Sequence, residues 1–148
     1  MWLNDMKKFI KYKEKYIVSD HGEVYEITKN GLRLKKQHTS ATGYMITAIN
    51  HHPTKVHRIV MEAFNGASDL VVDHINENKH DNRLSNLEYV TIKENNTRAK
   101  AVRVKWNGME FRTMRDLAIY LEVDYSAPHN CIKRNSKLKG YFVEKVIK

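Results

Sequence analysis

Leu70-Val71-Val72-Asp73-His74-Ile75-Asn76-Glu77-Asn78-Lys79-His80-Asp81-Asn82-Arg83-Leu84-Ser85-Asn86-Leu87-Glu88-Tyr89-Val90-Thr91-Ile92-Lys93-Glu94-Asn95-Asn96 is the stretch from which fold and chemistry are read. Leu70-Val71-Val72-Asp73 reads as a strand that delivers Asp73-His74 at its end, and Leu87-Glu88-Tyr89-Val90 reads as the return strand. The Asn-rich segment between them is a polar loop. Thr91-Ile92-Lys93-Glu94 is a capping box, in which Thr91 caps a helix and Glu94 reaches back; Glu94 is therefore structural. Asp73 and Asn95 offer oxygen ligands to a hard cation. His74 is a candidate base for a nucleophilic water, because an imidazole can be neutral near physiological pH. Strand, loop, strand and helix can fold Asp73, His74 and Asn95 towards one another.

Upstream, Val56, Ile59, Val60, Ala63 and Phe64 fall on one apolar helical face, and Asn65-Gly66 ends that helix. His57 on this helix is read as a packing or hydrogen-bonding residue, and His51-His52 as loop. Before it the chain reads as short strands: Tyr16-Ile17-Val18-Ser19, Glu23 to Thr28, Leu32 to Lys36 and Tyr44 to Ile49. Asn30-Gly31 between alternating runs predicts a hairpin. Its second strand sets Leu32 and Leu34 on one face and Arg33 and Lys35 on the other, against a DNA groove or against water.

Downstream, residues 97–101 read as a helix end and linker. Val102 to Trp106 turns at Asn107-Gly108 into Met109 to Arg112, a second hairpin. Thr113 caps a helix carrying Leu117, Ala118 and Leu121. Ser126 is a plausible cap for a further helix to about Arg134, with Pro128 in its first turn and Cys131 and Ile132 inward. Two short helices joined by a tight turn make a helix-turn-helix.

The chain has 148 residues, one cysteine (Cys131) and a net charge of +9. A lone cysteine excludes an internal disulfide and a Cys-rich zinc site, and a reducing cytoplasm fits. No apolar run approaches the roughly 20 residues that span a bilayer, and Met1-Trp2-Leu3-Asn4-Asp5-Met6 lacks a signal-peptide pattern. Residues 1–55 carry 10 basic and 5 acidic side chains, residues 56–96 carry 4 and 7, and residues 97–148 carry 12 and 5. Two basic arms thus flank an acidic waist that contains Asp73-His74. The pattern suits arms that hold nucleic acid around a centre that holds a cation; scattered solvated lysine is the plainer alternative.

These motifs resemble the HNH homing endonucleases of the phage and intron-encoded type. Val56 to Phe64 is similar to the helix preceding the nuclease motif. Asp73-His74, Asp81-Asn82-Arg83-Leu84-Ser85-Asn86-Leu87, Val90-Thr91 and Glu94-Asn95 follow that motif through. Tyr16 to Ser19 and Gly22-Glu23-Val24 resemble a module often fused upstream. Phe111 through Lys139-Gly140-Tyr141 resembles the intron-encoded nuclease repeat, although Glu122 stands where the turn often has Gly and Ala127-Pro128 is unusual at the start of a recognition helix.

The resemblance implies an α+β fold with a small N-terminal antiparallel sheet, a central ββα-metal HNH core and a C-terminal β-hairpin plus helix-turn-helix. Its divisions are a β-rich DNA-binding module at 1–55, the nuclease core at 56–96, a linker at 97–101 and a DNA-binding module at 102–148. His74 is then the general base, Asn86 the residue that holds the loop and orients His74, and Asp73 and Asn95 the ligands of one Mg²⁺ or Mn²⁺ with no structural zinc. Candidate DNA contacts are Arg33, Lys35 and Lys36 in the first arm, and Lys93, Arg98 and Lys100 beside the core. Arg103, Lys105, Lys133, Arg134, Lys137 and Lys139 belong to the second arm. The expected activity is site-specific hydrolysis of a phosphodiester in double-stranded DNA, with nicking of one strand as one outcome. The expected form is a cytoplasmic monomer on an asymmetric site, with no membrane partner. A DNA-binding regulator whose core does not cleave is the alternative.

Overall fold

The computed structural model describes residues 6–147; the reading of Met1 to Asp5 lies outside them. The chain divides into two units, the first ending at Ile92 and the second starting at Lys93. In the first, β1 (Phe9–Tyr12), β2 (Tyr16–Ser19), β3 (Val24–Thr28) and β4 (Gly31–Leu34) form an antiparallel meander. β5 (His38–Thr39), β6 (Met45–Ile49) and β7 (His52–Lys55) form a second small sheet. Its β6–β7 turn is tight because Asn50 and His51 both take positive φ, at 47° and 68°. The helix α1 (Val56–Asn65) follows, and Gly66 closes it at φ 82° while its N–H donates to Glu62 O. β8 (Val71–His74) and β9 (Leu87–Val90) then pair antiparallel, joined by a loop that ends in a short 3₁₀ turn at Leu84–Asn86.

One apolar core ties this unit together. The buried α1 residues Val56, Ile59, Val60 and Met61 meet Tyr12, Tyr16, Val18 and Val24 of the meander, Ile49 of the second sheet, and Val72 and Leu87 of the β8–β9 pair. Each fully buried aliphatic side chain contributes roughly 1.5–3 kcal/mol. Residues 9–55 and the β8–β9 pair, read as separate modules in the sequence, therefore share a core built around α1.

The β4 strand departs from the hairpin reading in two ways. Gly31, at φ 111°, is the first strand residue and not the second turn residue, since Thr28 pairs with Gly31 across the turn. Leu32 and Leu34 are solvent-exposed at 59% and 58%. Arg33 instead shares a face with Glu26 and Tyr16, the side on which Val18 and Val24 are buried. The alternation was read correctly, but its apolar side faces outward. Tyr25 and Ile27 lie beside the two leucines on that outer face.

The helix α2 (Ile92–Lys100) starts at the end of the first unit. It runs through most of the segment read as a linker, with Thr97 Oγ1 donating to Lys93 O at 2.8 Å. Arg98 and Lys100 in its last turn complement the helix dipole.

In the second unit β10 (Val104–Trp106), β11 (Met109–Phe111), β12 (Lys137–Leu138) and β13 (Tyr141–Lys145) form a sheet in the order β11-β10-β13-β12. Asn107 and Gly108 both take positive φ and make the expected turn. Thr113 caps α3 (Met114–Leu121), its hydroxyl accepting from Asp116 N at 2.9 Å. Glu122 ends α3 in the left-handed conformation at φ 53°, the place where glycine has no steric cost. Ser126 precedes α4 (Ala127–Arg134) but makes no side-chain cap. Instead Asp124 accepts from Ser126 N at 2.8 Å. Leu117 and Leu121 of α3 pack with Val104, Trp106, Leu138 and Val143, with Cys131 and Ile132 of α4 against them. Trp106 Nε1 donates to Leu138 O at 2.7 Å and locks the sheet across its middle. No helix among the described residues is long and apolar enough to cross a membrane.

Candidate active site

Strand β8 places Asp73 and His74 consecutively, 8% and 4% exposed. Alternation along the strand puts Val72 and His74 on one face. Val72 joins the α1 core there, and the His74 ring meets that of His57 on α1 at 5.0 Å between centroids and 86°. Tyr44 completes the wall, 4.9 Å from His57 and 6.0 Å from His74. The ammonium groups of Lys55 and Lys79 lie 4.6 and 4.5 Å from the Tyr44 ring centroid, a favourable cation–π arrangement.

His57 is 4% exposed, and its Nδ1 has no hydrogen-bond partner. Burial, then the neighbouring His74, Lys55 and Arg58, push its pKa down to about 3. It is a neutral packing residue at physiological pH, as its place on the apolar helix face suggests.

The loop after β8 is held by amides. Asn86, 7% exposed, accepts from Asn76 N at 2.9 Å and donates through Nδ2 to Asn76 Oδ1 at 2.9 Å and Asp81 O at 2.8 Å. Its backbone carbonyl accepts from Ile75 N at 2.8 Å. Asp81 receives Arg83 Nε and Nη2 at 2.8 and 2.7 Å, and this pairing holds its carboxyl down at about 2. Asp81 thus braces the loop. His80 Nε2 lies 3.5 Å from Thr39 Oγ1, and Lys79 Nζ donates to Thr42 O at 3.0 Å. Both attach the loop to the second sheet.

The partner of His74 in this loop is Asn82, whose Oδ1 sits 2.9 Å from His74 Nε2. Sequence reasoning gave the orienting role to Asn86, whose side-chain bonds go to Asn76 and Asp81. Asn82 stood within the motif, but a loop residue folding back eight positions leaves no periodic signal.

Asp73, His74 and Asn86 are brought together in the first unit, while Asn95 lies half-buried on α2 in the second. Among the described residues no three His, Cys, Asp or Glu side chains converge as a metal cluster. Asp73 offers an ion a carboxylate oxygen, and the remaining ligands would be non-protein. That hard-oxygen, water-rich set suits Mg²⁺ or Mn²⁺ and not Zn²⁺.

The candidate DNA contacts divide by what they touch. Arg33 pairs with Glu26, and Lys35 Nζ lies 3.7 Å from the same carboxylate and near the Tyr16 ring. Lys139 Nζ donates to Leu121 O at 2.7 Å and so caps α3. Lys137 lies over the Phe142 ring at 5.6 Å, and Arg103 is 3.9 Å from Glu110. Lys105 faces Glu110 and Glu144 across the sheet. Lys36 is exposed beside the first sheet, Lys93, Arg98 and Lys100 lie on α2, and Lys133 and Arg134 form the last turn of α4.

Residues 54–97 match the family model of the HNH endonucleases. That stretch is similar to an HNH endonuclease domain. Over 88 residues, 55% of this chain, it is 35% identical to an uncharacterised HNH endonuclease of Acanthamoeba polyphaga mimivirus. The matched stretch spans only 22% of that relative's length. It is also similar to the structure of the HNH homing endonuclease I-HmuI, described for DNA binding and cleavage by that protein. The TM-score is 0.50 and the identity 26%, over 97% of this chain and 99% of that one. The matched residues run from within β7 to within α2 and include Asp73 and His74, and the likeness to I-HmuI extends over the sequence on both sides.

Proposed function

We propose that this chain is a site-specific HNH endonuclease of the homing type that hydrolyses a phosphodiester of double-stranded DNA. The observation that carries the reading is a carboxylate and an imidazole at consecutive positions at the end of β8, both more than nine-tenths buried, with the imidazole held by an amide-bonded loop.

In this reading His74 takes a proton from water as its oxygen bonds to phosphorus. The bond to the 3′ oxygen breaks, leaving a 5′ phosphate and a 3′ hydroxyl. Asp73 and, as the resemblance implies, Asn95 would hold one Mg²⁺ or Mn²⁺, which would neutralise charge developing on the phosphate. Asn86 keeps the loop closed behind His74. Lys36, Lys93, Lys100, Lys133 and Arg134 are the cations best placed for phosphate contacts, and the unlike arms suit a monomer on an asymmetric site. One such centre per chain makes nicking the simplest outcome.

The test is cleavage of plasmid DNA across a Mg²⁺ titration by wild type, Asp73→Ala and Asn95→Ala. Both variants should need far more Mg²⁺ or fail to cleave while still retarding DNA in gels. Unchanged Mg²⁺ dependence would remove the ligand assignment. Specific binding without cleavage by the wild type would favour a DNA-binding regulator.

A further inference from the structure

The His74 ring is held by Asn82 at Nε2 and by the His57 ring, which meets it in a T-shaped pair. Asn82 is 5% exposed and His74 4%, so water does not compete for the 2.9 Å contact between them. An amide oxygen only accepts, so Nε2 carries the hydrogen and donates, and the ring's lone pair falls on Nδ1. The amide is oriented in turn: its Nδ2 faces His80 O at 3.5 Å, which leaves the oxygen for the histidine.

Asn82 itself is backed by the turn after β2. A Cβ on Gly22 would come within 3.1 Å of both Asn82 Cβ and Asn82 O, so any other residue would push Asn82 by a few tenths of an ångström besides being strained at φ +88°. Leu84 N donates to Asp20 O at 2.8 Å and fastens the same two segments two residues further on. The turn after β2, about 60 residues away in sequence, thereby presses on the residue that grips His74.

We propose that Asn82, backed by Gly22, is the positioning residue that fixes His74 as its Nε2–H tautomer, so that Nδ1 is the atom that accepts the proton. The role of Nδ1 rests on the nuclease reading, whereas the tautomer does not. A histidine partner of this kind sets which nitrogen does the chemistry.

The experiment uses the full chain with isotope-labelled histidine, comparing imidazole nitrogen NMR shifts above neutral pH in wild type, Asn82→Ala and Asn82→Asp. Cleavage and DNA retardation are measured in parallel. Wild type should show His74 as Nε2–H. Asn82→Ala should relax His74 towards the mixed tautomers of a free neutral imidazole, in which Nε2–H is only the majority form, and lose about 10–100-fold in kcat, with KM and DNA affinity unchanged. Asn82→Asp keeps an acceptor oxygen and should restore the tautomer and most of kcat. A merely structural loop residue would not show this rescue. His74 remaining Nε2–H with unchanged kcat in Asn82→Ala would overturn the proposal. Should Asn82→Ala fail to fold, Asn82→Asp decides alone: a retained Nε2–H supports the assignment and a switch to Nδ1–H overturns it. Spectra as expected with a wild type that cleaves no DNA would support the tautomer while overturning the nuclease reading and with it the role of Nδ1.

Discussion

Acidification should destabilise the first unit through one residue, His57. Its imidazole is buried and neutral, with a pKa pushed from 6.5 down to about 3 by burial and then by nearby His74, Lys55 and Arg58. In the unfolded chain the same group binds a proton near 6.5. Between those values the unfolded state holds more protons, so stability is full above 6.5 and declines as pH falls towards 3. Each unit below the upper value removes about 1.4 kcal/mol, which gives a loss of about 2 kcal/mol at about pH 5. At that pH the folded value hardly matters, because the folded ring is still neutral. His57→Phe keeps a ring against Tyr44 and removes the titration. The assay is urea denaturation at about pH 7.5 and about pH 5, followed by the Ile59 methyl signal, which reports the α1 core. Wild type should lose about 2 kcal/mol more than His57→Phe on acidification. An equal loss in both proteins would refute a buried neutral His57.

The same geometry fixes the outcome of other substitutions. Gly22→Ala should cost about 1–3 kcal/mol by the same methyl signal, because φ is +88° and Asn82 is in the way. Gly66→Ala, with nothing within 4 Å at φ +82°, should cost less. Asn86→Ala removes three side-chain bonds from the loop and should speed hydrogen exchange at the Asn76 amide while destabilising the unit by about 1–3 kcal/mol. Leu32→Thr on the exposed outer face should change stability by less than about 0.5 kcal/mol. Ile59→Ala in the core should cost about 2–5 kcal/mol by the same denaturation.

The parts of the fold visible in sequence are those set by local rules. The face of α1, the Asn107-Gly108 turn, the Thr113 cap and the β8–β9 pair all follow from spacing or turn chemistry within a few residues. β1, β7 and β13 carry no clean alternation and were not read, since each takes its state from the strand it pairs with. The outward face of β4 was not legible either. Alternation tells which residues share a face, while α1, packing on the other side, decides which face is buried. In the site, Asp73, His74 and Asn86 were visible through the motif they resemble. Asn82 and Gly22 were not, because their contact joins segments 60 residues apart and nothing in either segment announces the other. Lys139, a candidate DNA contact, also has its ammonium on the last carbonyl of α3, a contact that no local pattern announces.

The central claim is that His74 is the base of a nuclease, and the most direct measurement is conversion of supercoiled plasmid in Mg²⁺ by wild type and by His74→Ala, with gel retardation in parallel. The account expects Mg²⁺-dependent nicking at a fixed position by the wild type, abolished by EDTA and lost in His74→Ala, while DNA binding persists. Equal nicking by both proteins would contradict it.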